Sequence, residues 1–317
     1  MIFSPTLDPW RTLAALVLEA AAGYPDWLHE RIPHPVTWAG RGISFLERSW
    51  NRPDWPEALR RGLGVVTLLL IAGIAAIAGW LLDSYLLRNF WLALITLLLA
   101  TTGLAQRSLT AHVAAVSAAL ERNDLDGARR AVSMIVGRDV AALDRSGVAA
   151  AALESLAESF CDGVIAPAFW LLAFGLAGLF AYKAVNTADS LIGHREPRWR
   201  AFGWAAARTD DLLNLIPARL AGALLALAAG GGWRVMGRDA GKHASPNAGW
   251  PEAAMAGGLN IRLGGPVAYD GLPHPRPWFG DGARPDAAAL RRGLTVYKRA
   301  CVFFWMLLAA GGLLWRH

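Results

Sequence analysis

The chain has 317 residues, of which 55% are hydrophobic and only 18% charged, with a formal net charge of +6. A soluble domain carries about a quarter charged residues, so this composition argues against an ordinary water-soluble fold and for one embedded in a lipid bilayer. Two cysteines, Cys161 and Cys301, exclude a disulfide framework and a cysteine-rich metal centre.

An apolar helix is expected around Leu13 to Ala22, in or on the membrane. Glu19 interrupts it, and it has no basic start or small-residue cleavage site, so it does not read as a removable signal peptide. Gly62 to Leu82 follows as an uncharged run of about 21 residues, enough to cross ~30 Å of hydrocarbon. Asn89 to Ala105, Val164 to Tyr182, Leu212 to Trp233 and Ala300 to Trp315 are four further runs, the fourth-placed of the five carrying Asn214 and Arg219. Trp80, Trp91, Trp233 and Trp315 stand near run ends, where indole favours the interface. Arginines cluster beside these runs, so the positive charge reads as topological bias and not as a nucleic-acid footprint.

Residues 106–163 differ. Charges mix with apolar residues at helical spacing (Leu109, Val113, Val116, Leu120, then Ala128, Val132, Ile135, Val136), and Asn123-Asp124 breaks the pattern into two amphipathic helices. Residues 234–290 are rich in Gly and Pro and read as a long irregular loop, ordered by its aromatic and apolar content. No Ser/Gly linker, low-complexity tract or solenoid repeat intervenes, so residues 1–317 read as a single membrane-embedded domain. The expected fold is all-α and polytopic: about five transmembrane or re-entrant helices, amphipathic helices and the loop. Pro167, Gly175 and Gly178 weaken the 164–182 run. It is either a full span or a broken, re-entrant helix that brings the basic loops on its two sides to one cavity.

Four constellations could carry chemistry. Glu154, Glu158 and Asp162 recur at i, i+4, i+8, about 6 Å apart stepwise on one helix face. Like charges abutting an apolar run call for compensation, which Mg²⁺ and phosphate supply; a solvated acidic face is the alternative. Lys183, Asn186, Thr187, Asp189 and Ser190 lead into Gly193, His194 and Arg195, a dense hydrogen-bonding stretch suited to phosphate or carboxylate, or a polar cap on a membrane helix. Arg208, Asp210, Asp211 and Asn214 run into a membrane segment, as functional groups or as a structural ion pair. Arg238, Asp239, Lys242, His243, Ser245 and Asn247 sit in a loop stiffened by Pro246, where Lys and His can hold phosphate or His can act as a base. No Walker motif, nucleotide fingerprint or Ser-His-Asp arrangement is present.

Three long stretches, His112 to Pro167, Tyr182 to Leu220 and Arg238 to Gly271, together with the short Pro33 to Gly40 and Gly280 to Gly282 motifs, resemble the CobD/CbiB family, the adenosylcobinamide-phosphate (cobinamide) synthases. The resemblance runs in order along nearly the whole chain. It implies a multi-pass protein of the bacterial inner membrane that joins aminopropanol, or its O-phosphate, to a carboxylate of cobyric acid, with ATP and Mg²⁺. On that footing Glu154, Glu158 and Asp162 are the expected metal ligands, and Lys183, Asn186, Asp189, Ser190, Arg195, Lys242, Ser245 and Asn247 the expected substrate and phosphate ligands. His194, His243, Arg208 and Asp211 are the expected catalytic groups, with Arg208 a buried fork on phosphoryl oxygen. The partners implied are the corrinoid, the amino alcohol and the bilayer, with a homo-oligomer left open. The chain departs from the family's opening Asp-containing pattern, reading Leu18-Glu19 and then Gly23-Tyr24-Pro25. It also carries a His29 to Ile32 insertion, and Ser159 where Asn is usual. A non-catalytic membrane paralogue (transporter, sensor or scaffold) and a ligase for another amine are the competing readings.

Overall fold

In the computed structural model, residues 6–23, 34–269, 272–274 and 276–314 are described. Tyr24 and Pro25, the His29 to Ile32 insertion, Pro33, Gly271 and Trp315 lie outside the described residues. The chain is predominantly helical. Four helical stretches are long and apolar enough to cross a membrane: Glu57–Leu86, Phe90–Glu121, Arg145–Ile192 and Ala287–Leu314. A fifth is added if the broken pair Trp204–Leu213 and Leu215–Ala229 counts as one span. Each coincides with one of the five apolar runs. Along Glu57–Leu86 the side chains of Leu69, Ile74, Ile77 and Leu81 are exposed. So long an apolar surface is a liability in water and ordinary against lipid.

The chain divides into two compact units. The first comprises residues 1–105, 166–214 and 308–317. Its helices are α1 (Pro9–Ala22), α2 (Pro35–Trp50), α3 (Glu57–Leu86), α4 (Phe90–Thr101), α8 (Ala166–Ile192) and α9 (Trp204–Leu213). Helix α2 starts where it does because Pro35 occupies its first turn and His34 Nδ1 accepts the Val36 N–H at 3.3 Å. Ile43 from α2, Leu68 from α3, Val185, Ala188 and Ile192 from α8, and Phe202, Ala205 and Ala206 form its buried apolar cluster.

Helix α8 is broken inside the membrane run, at Phe174 and Gly175. Gly175 has φ 62°, ψ −150°, a conformation that only glycine adopts readily. A break in lipid frees backbone groups that must be satisfied locally. Asp83 of α3 does this: its Oδ2 accepts the Leu176 N–H at 2.8 Å. The Asp83 carboxylate is held in turn by a two-point pair with Arg11 of α1, both side chains almost fully buried. Gly79 of α3 permits the approach, since a Cβ there would lie 2.4 Å from the Leu176 carbonyl oxygen.

The second unit comprises residues 106–165 and 215–307. It contains α5 (Gln106–Glu121), α6 (Leu125–Ser133), α7 (Arg145–Phe160), a π-helical turn (Cys161–Ile165) and α10 (Leu215–Ala229), then α11 (Trp233–Asp239), α12 (Gly249–Leu259) and most of α13 (Ala287–Leu314). The Asn123-Asp124 break is a cap: Asp124 Oδ1 accepts the Gly127 N–H at 2.8 Å and opens α6. The π turn precedes Pro167, whose missing N–H disrupts the α ladder there. Alanines 149, 151, 152 and 157 are fully buried along α7, which lets neighbouring backbones pack closely.

Residues 234–290 hold more regular structure than their composition suggests. Besides α11 and α12 they form two antiparallel strand pairs, β1 (Leu263–Gly264) with β4 (Trp278–Phe279) and β2 (Val267–Tyr269) with β3 (Leu272–His274). Pro251 falls in the first turn of α12, where its missing donor costs nothing. Gly257 is there for packing: a Cβ would sit 2.6 Å from Val235 Cβ.

Candidate functional site

In the second unit the ionisable groups converge on two carboxylates. Glu154 projects from the buried face of α7 and is 5% exposed. Its Oε2 accepts Arg138 Nη2 at 3.0 Å and Arg276 Nη1 at 3.3 Å, and its Oε1 accepts the Gly264 N–H of β1 at 2.8 Å. Glu252, on α12, is 1% exposed. Its Oε1 lies 3.6 Å from His243 Nε2 and its Oε2 lies 3.6 Å from Arg276 Nη2, and Oε2 makes no hydrogen bond. Burial, reinforced by the charges of Glu154 and Glu158, pushes the Glu252 carboxyl well above the usual carboxylate range, against the pull of Arg276 and Arg138. His243 Nδ1 accepts the Ser245 N–H at 2.9 Å. The ring proton of a neutral His243 therefore belongs on Nε2, the atom that faces Glu252.

The loop that carries His243 is locked from below. Asp239 is fully buried and takes both guanidinium nitrogens of Arg238 at 2.7 Å, Lys242 Nζ at 2.6 Å and the Gly280 N–H at 2.8 Å. Hydrogen bonding to Arg238, outweighing the burial that opposes it, draws the Asp239 carboxyl far below its ordinary range. Ser245 Oγ accepts the N–H groups of Asn247 and Ala248, and Asn247 Oδ1 accepts Arg219 Nη1 at 3.2 Å. Lys242, Ser245 and Asn247 thus shape the loop in this structure, with Lys242 paired to Asp239.

The acidic face expected of Glu154, Glu158 and Asp162 is split. Glu154 is buried among arginines, Glu158 is exposed, and Asp162 is half-buried inside the π turn, which changes the helical register between them. Among the described residues no group of three His, Cys, Asp or Glu side chains is arranged to hold a metal ion. Mg²⁺ needs less than that, since it is usually bound through one or two carboxylates plus substrate phosphates and water. Glu158 and Asp162 are the more exposed hard oxygen donors of the three and fit that requirement; Glu154, held by Arg138, Arg276 and the Gly264 N–H, is the poorer candidate.

In the first unit a hydrogen-bonded chain runs between α8 and α9. Lys183 Nζ donates to Asn186 Oδ1 at 3.3 Å, and Asn186 Nδ2 to Asp210 Oδ1 at 3.2 Å. Asn214 Nδ2 donates to Asp210 Oδ2 at 3.0 Å, and Tyr182 Oη to Asn214 Oδ1 at 3.1 Å. Ser190 Oγ caps the Asn186 carbonyl at 2.9 Å. Asp189 closes the end of α8, its carbonyl accepting the Gly193 N–H at 2.7 Å. His194 and Arg195 are exposed, and the His194 ring lies 5.4 Å from that of Trp199. Arg208 is a correction. Its side chain is 69% exposed and stands 3.7 Å from Asp211 one turn on, so it is no buried fork. A helix surface with water beside it is where i, i+3 pairs ordinarily form.

Arg138, Arg276 and Glu252 are polar residues of these clusters that the sequence did not single out as site residues. Arg276 had no signal, because an irregular segment has no periodicity from which to place it. The burial of Glu252 was latent in the apolar run Ala253 to Ala256 that follows it.

Helices long and apolar enough to cross a membrane, one of them broken, beside clusters of buried ionised groups define a polytopic membrane-protein fold. The chain matches the CobD/Cbib protein family over residues 12–297. It is 48% identical over 308 residues to the "Cobalamin biosynthesis protein CobD" of Rhodobacter capsulatus, covering 96% of this chain and 97% of that one. The proteins of the same description from a Sinorhizobium species (47% over 299 residues, 90% and 93% covered) and Rhizobium meliloti (44% over 311 residues, 94% and 95% covered) are similarly related. No solved structure matches. The chain belongs to the CobD/Cbib family, which assigns it a role in cobalamin biosynthesis.

Proposed function

We propose that the chain is an ATP-dependent acid–amine ligase that attaches aminopropanol, or its O-phosphate, to a carboxylate of cobyric acid to give cobinamide or its phosphate. The observation that carries this reading is Glu252: a buried carboxyl with one oxygen lacking a hydrogen bond, set between His243 and Arg276 and beside the Arg138–Glu154 pair. Amide formation from a carboxylate needs an activated acyl group and a base for the amine's proton. In the proposed sequence the corrinoid carboxylate oxygen attacks the γ-phosphorus of ATP and ADP leaves. The amine then attacks the acyl carbon, phosphate departs with the former carboxylate oxygen, and the amine's proton passes to a base.

A buried carboxyl whose affinity for protons is raised suits that last role, and Glu252 is assigned it. His243, whose Nε2 lies 3.6 Å from Glu252 Oε1 and 3.5 Å from Arg276 Nη2, helps to orient the Glu252 carboxylate. Arg276 and Arg138 supply fixed positive charge for the oxyanion of the addition step and for phosphoryl oxygens. When bound, Mg²⁺ neutralises phosphate charge, and Glu158 and Asp162 are the residues that would hold it. Lys183, Asn186 and Ser190 in the first unit are assigned to substrate anion binding.

Product analysis tests the reading. Detergent-purified protein is incubated with cobyric acid, aminopropanol phosphate and ATP-Mg²⁺, and corrinoids are resolved by mass spectrometry. A product heavier by the amino alcohol phosphate less one water is expected, in step with ADP release. Unchanged cobyric acid across amine and nucleotide concentrations would leave the non-catalytic reading standing.

A further inference from the structure

Between α2 and α8 in the first unit lies a cleft of about 760 Å³. That is within the range of small-molecule sites, ~300–1,000 Å³, but its lining is unlike an apolar ligand pocket. From α2 come Thr37, Arg41, Ser44 and Arg48, spaced at i, i+4, i+7, i+11. From α8 come Lys183, Thr187 and Ser190, at i, i+4, i+7. Each set is one stripe of a 3.6-residue helix, so two polar faces are turned into the same gap. The opposite side of α2 carries Ile43, which is fully buried in the apolar cluster.

The charge in the cleft is unbalanced. Its one carboxylate, Glu47, is committed: Oε1 and Oε2 accept Arg198 Nε and Nη2 at 3.1 Å each, and Oε1 also accepts Asn51 Nδ2 at 3.0 Å. With Glu47 and Arg198 paired to each other, Arg41 and Arg48 face the cleft opposite Lys183. Arg48 spends its Nε on the Ser44 carbonyl at 3.1 Å, and Lys183 reaches Asn186. Arg41 is exposed and makes no hydrogen bond or ion pair among the described residues. Two arginines with the Thr37 and Ser44 hydroxyls beside them, and Lys183 across the cleft, make a site for a multiply charged oxyanion. Arginine presents the fork that matches phosphate oxygens, and serine and threonine donate to the remainder.

We infer that the α2–α8 cleft binds the phosphate group of a phosphate ester, with Arg41 as a direct ligand and Thr37, Ser44 and Arg48 completing the set. This gives a role to the stretch after His34-Pro35, whose motif had none. The inference rests on the synthase reading only for the two sources of such an ester, a nucleoside triphosphate and a small amino alcohol phosphate.

Equilibrium dialysis separates these. The full chain in detergent is dialysed, without corrinoid, against radiolabelled ATP in one arm and radiolabelled ethanolamine phosphate in the other. Arg41→Gln should weaken at least one probe about tenfold or more, the loss of a charge-assisted two-point contact. Arg41→Lys should recover part of it, and Arg130→Gln, an equal charge change on an exposed helix face of the other unit, should shift binding less than about twofold. The arm that responds identifies the source. Because Arg41 is exposed, its replacement leaves folding intact, which the melting curve checks. If neither probe binds, or if both bind Arg41→Gln as tightly as the parent, the inference is overturned. Arg41-dependent binding without amide product would sustain the cleft and sink the synthase reading. Amide product with Arg41-independent binding would do the reverse.

Discussion

Glu154→Gln and Glu158→Gln make the same chemical change one helical turn apart, and the structure predicts different outcomes. Glu154 is 6% exposed at its side chain and sits between Arg138, 10% exposed, and Arg276, 23% exposed. Glutamine keeps the shape and can still accept the Gly264 N–H, but the carboxylate that both guanidinium groups share is then gone. Breaking a buried pair costs about 3–5 kcal/mol, and an exposed one below about 1 kcal/mol. Arg276 is open enough to water to temper the larger figure, so ~2–3 kcal/mol is expected. At roughly 2–4 °C per kcal/mol for a domain of this size, the melting temperature should fall by about 5–10 °C. Glu158 is exposed, and Glu158→Gln should melt within about 2 °C of the parent while losing most of its turnover and raising the Mg²⁺ needed for half-maximal rate. Tryptophan fluorescence melts and corrinoid turnover, measured on both variants, test the contrast. A Glu154→Gln protein that melts with the parent would refute the buried arginine cage. A Glu158→Gln protein of normal activity and normal Mg²⁺ dependence would refute the metal assignment.

Glu252 predicts a pH signature. Its carboxyl is raised in the folded state, so the folded protein holds the proton that the unfolded chain has released; stability from this source is complete below the unfolded value of 4.5 and declines as pH rises through the folded value. Glu252→Gln should therefore lose less stability than the parent from about pH 4.5 upward, read as the difference between two melting-temperature profiles; parallel profiles would contradict it. Arg276→Lys keeps a charge but not the fork that spans Glu154 and Glu252, and should cut kcat tenfold or more. Arg208→Lys, on an exposed pair, should stay within about threefold, and equal losses would remove the distinction between them. Since ATP is cytoplasmic, single cysteines placed at Ser190 or at Ser245, in a background lacking Cys161 and Cys301, should each be labelled from the cytoplasmic side; labelling of either solely from outside would contradict its assignment.

The spans were legible because hydrocarbon thickness imposes a length on them, and the run from Gly62 to Leu82 has that length. The Asn123-Asp124 break was legible as local capping chemistry. What composition hid was order imposed by packing: Gly257 and Pro251 read as loop formers, yet one permits a close helix contact and the other occupies a first helical turn. Of the site, the density of hydrogen-bonding side chains singled out Lys183, Asn186 and Ser190 as candidates, while helical spacing singled out the acidic triad. It misjudged Glu154, Glu158 and Asp162, because spacing does not reveal a π turn or a buried arginine contributed from more than a hundred residues away. Arg208 was misplaced for the same reason: a sequence gives the charge, and only the fold gives its burial. The stripe of Thr37, Arg41, Ser44 and Arg48 was available to the same periodicity argument but lay in an amphipathic helix outside the apolar runs.

The account turns on how the corrinoid carboxylate is activated. Cobyric acid labelled with ¹⁸O in its reacting carboxylate, incubated with protein, aminopropanol phosphate and ATP-Mg²⁺, follows that step atom by atom. The proposed sequence predicts one labelled oxygen in the inorganic phosphate released for each amide formed. Amide formed with unlabelled phosphate, or ATP cleaved with no amide at all, would contradict it.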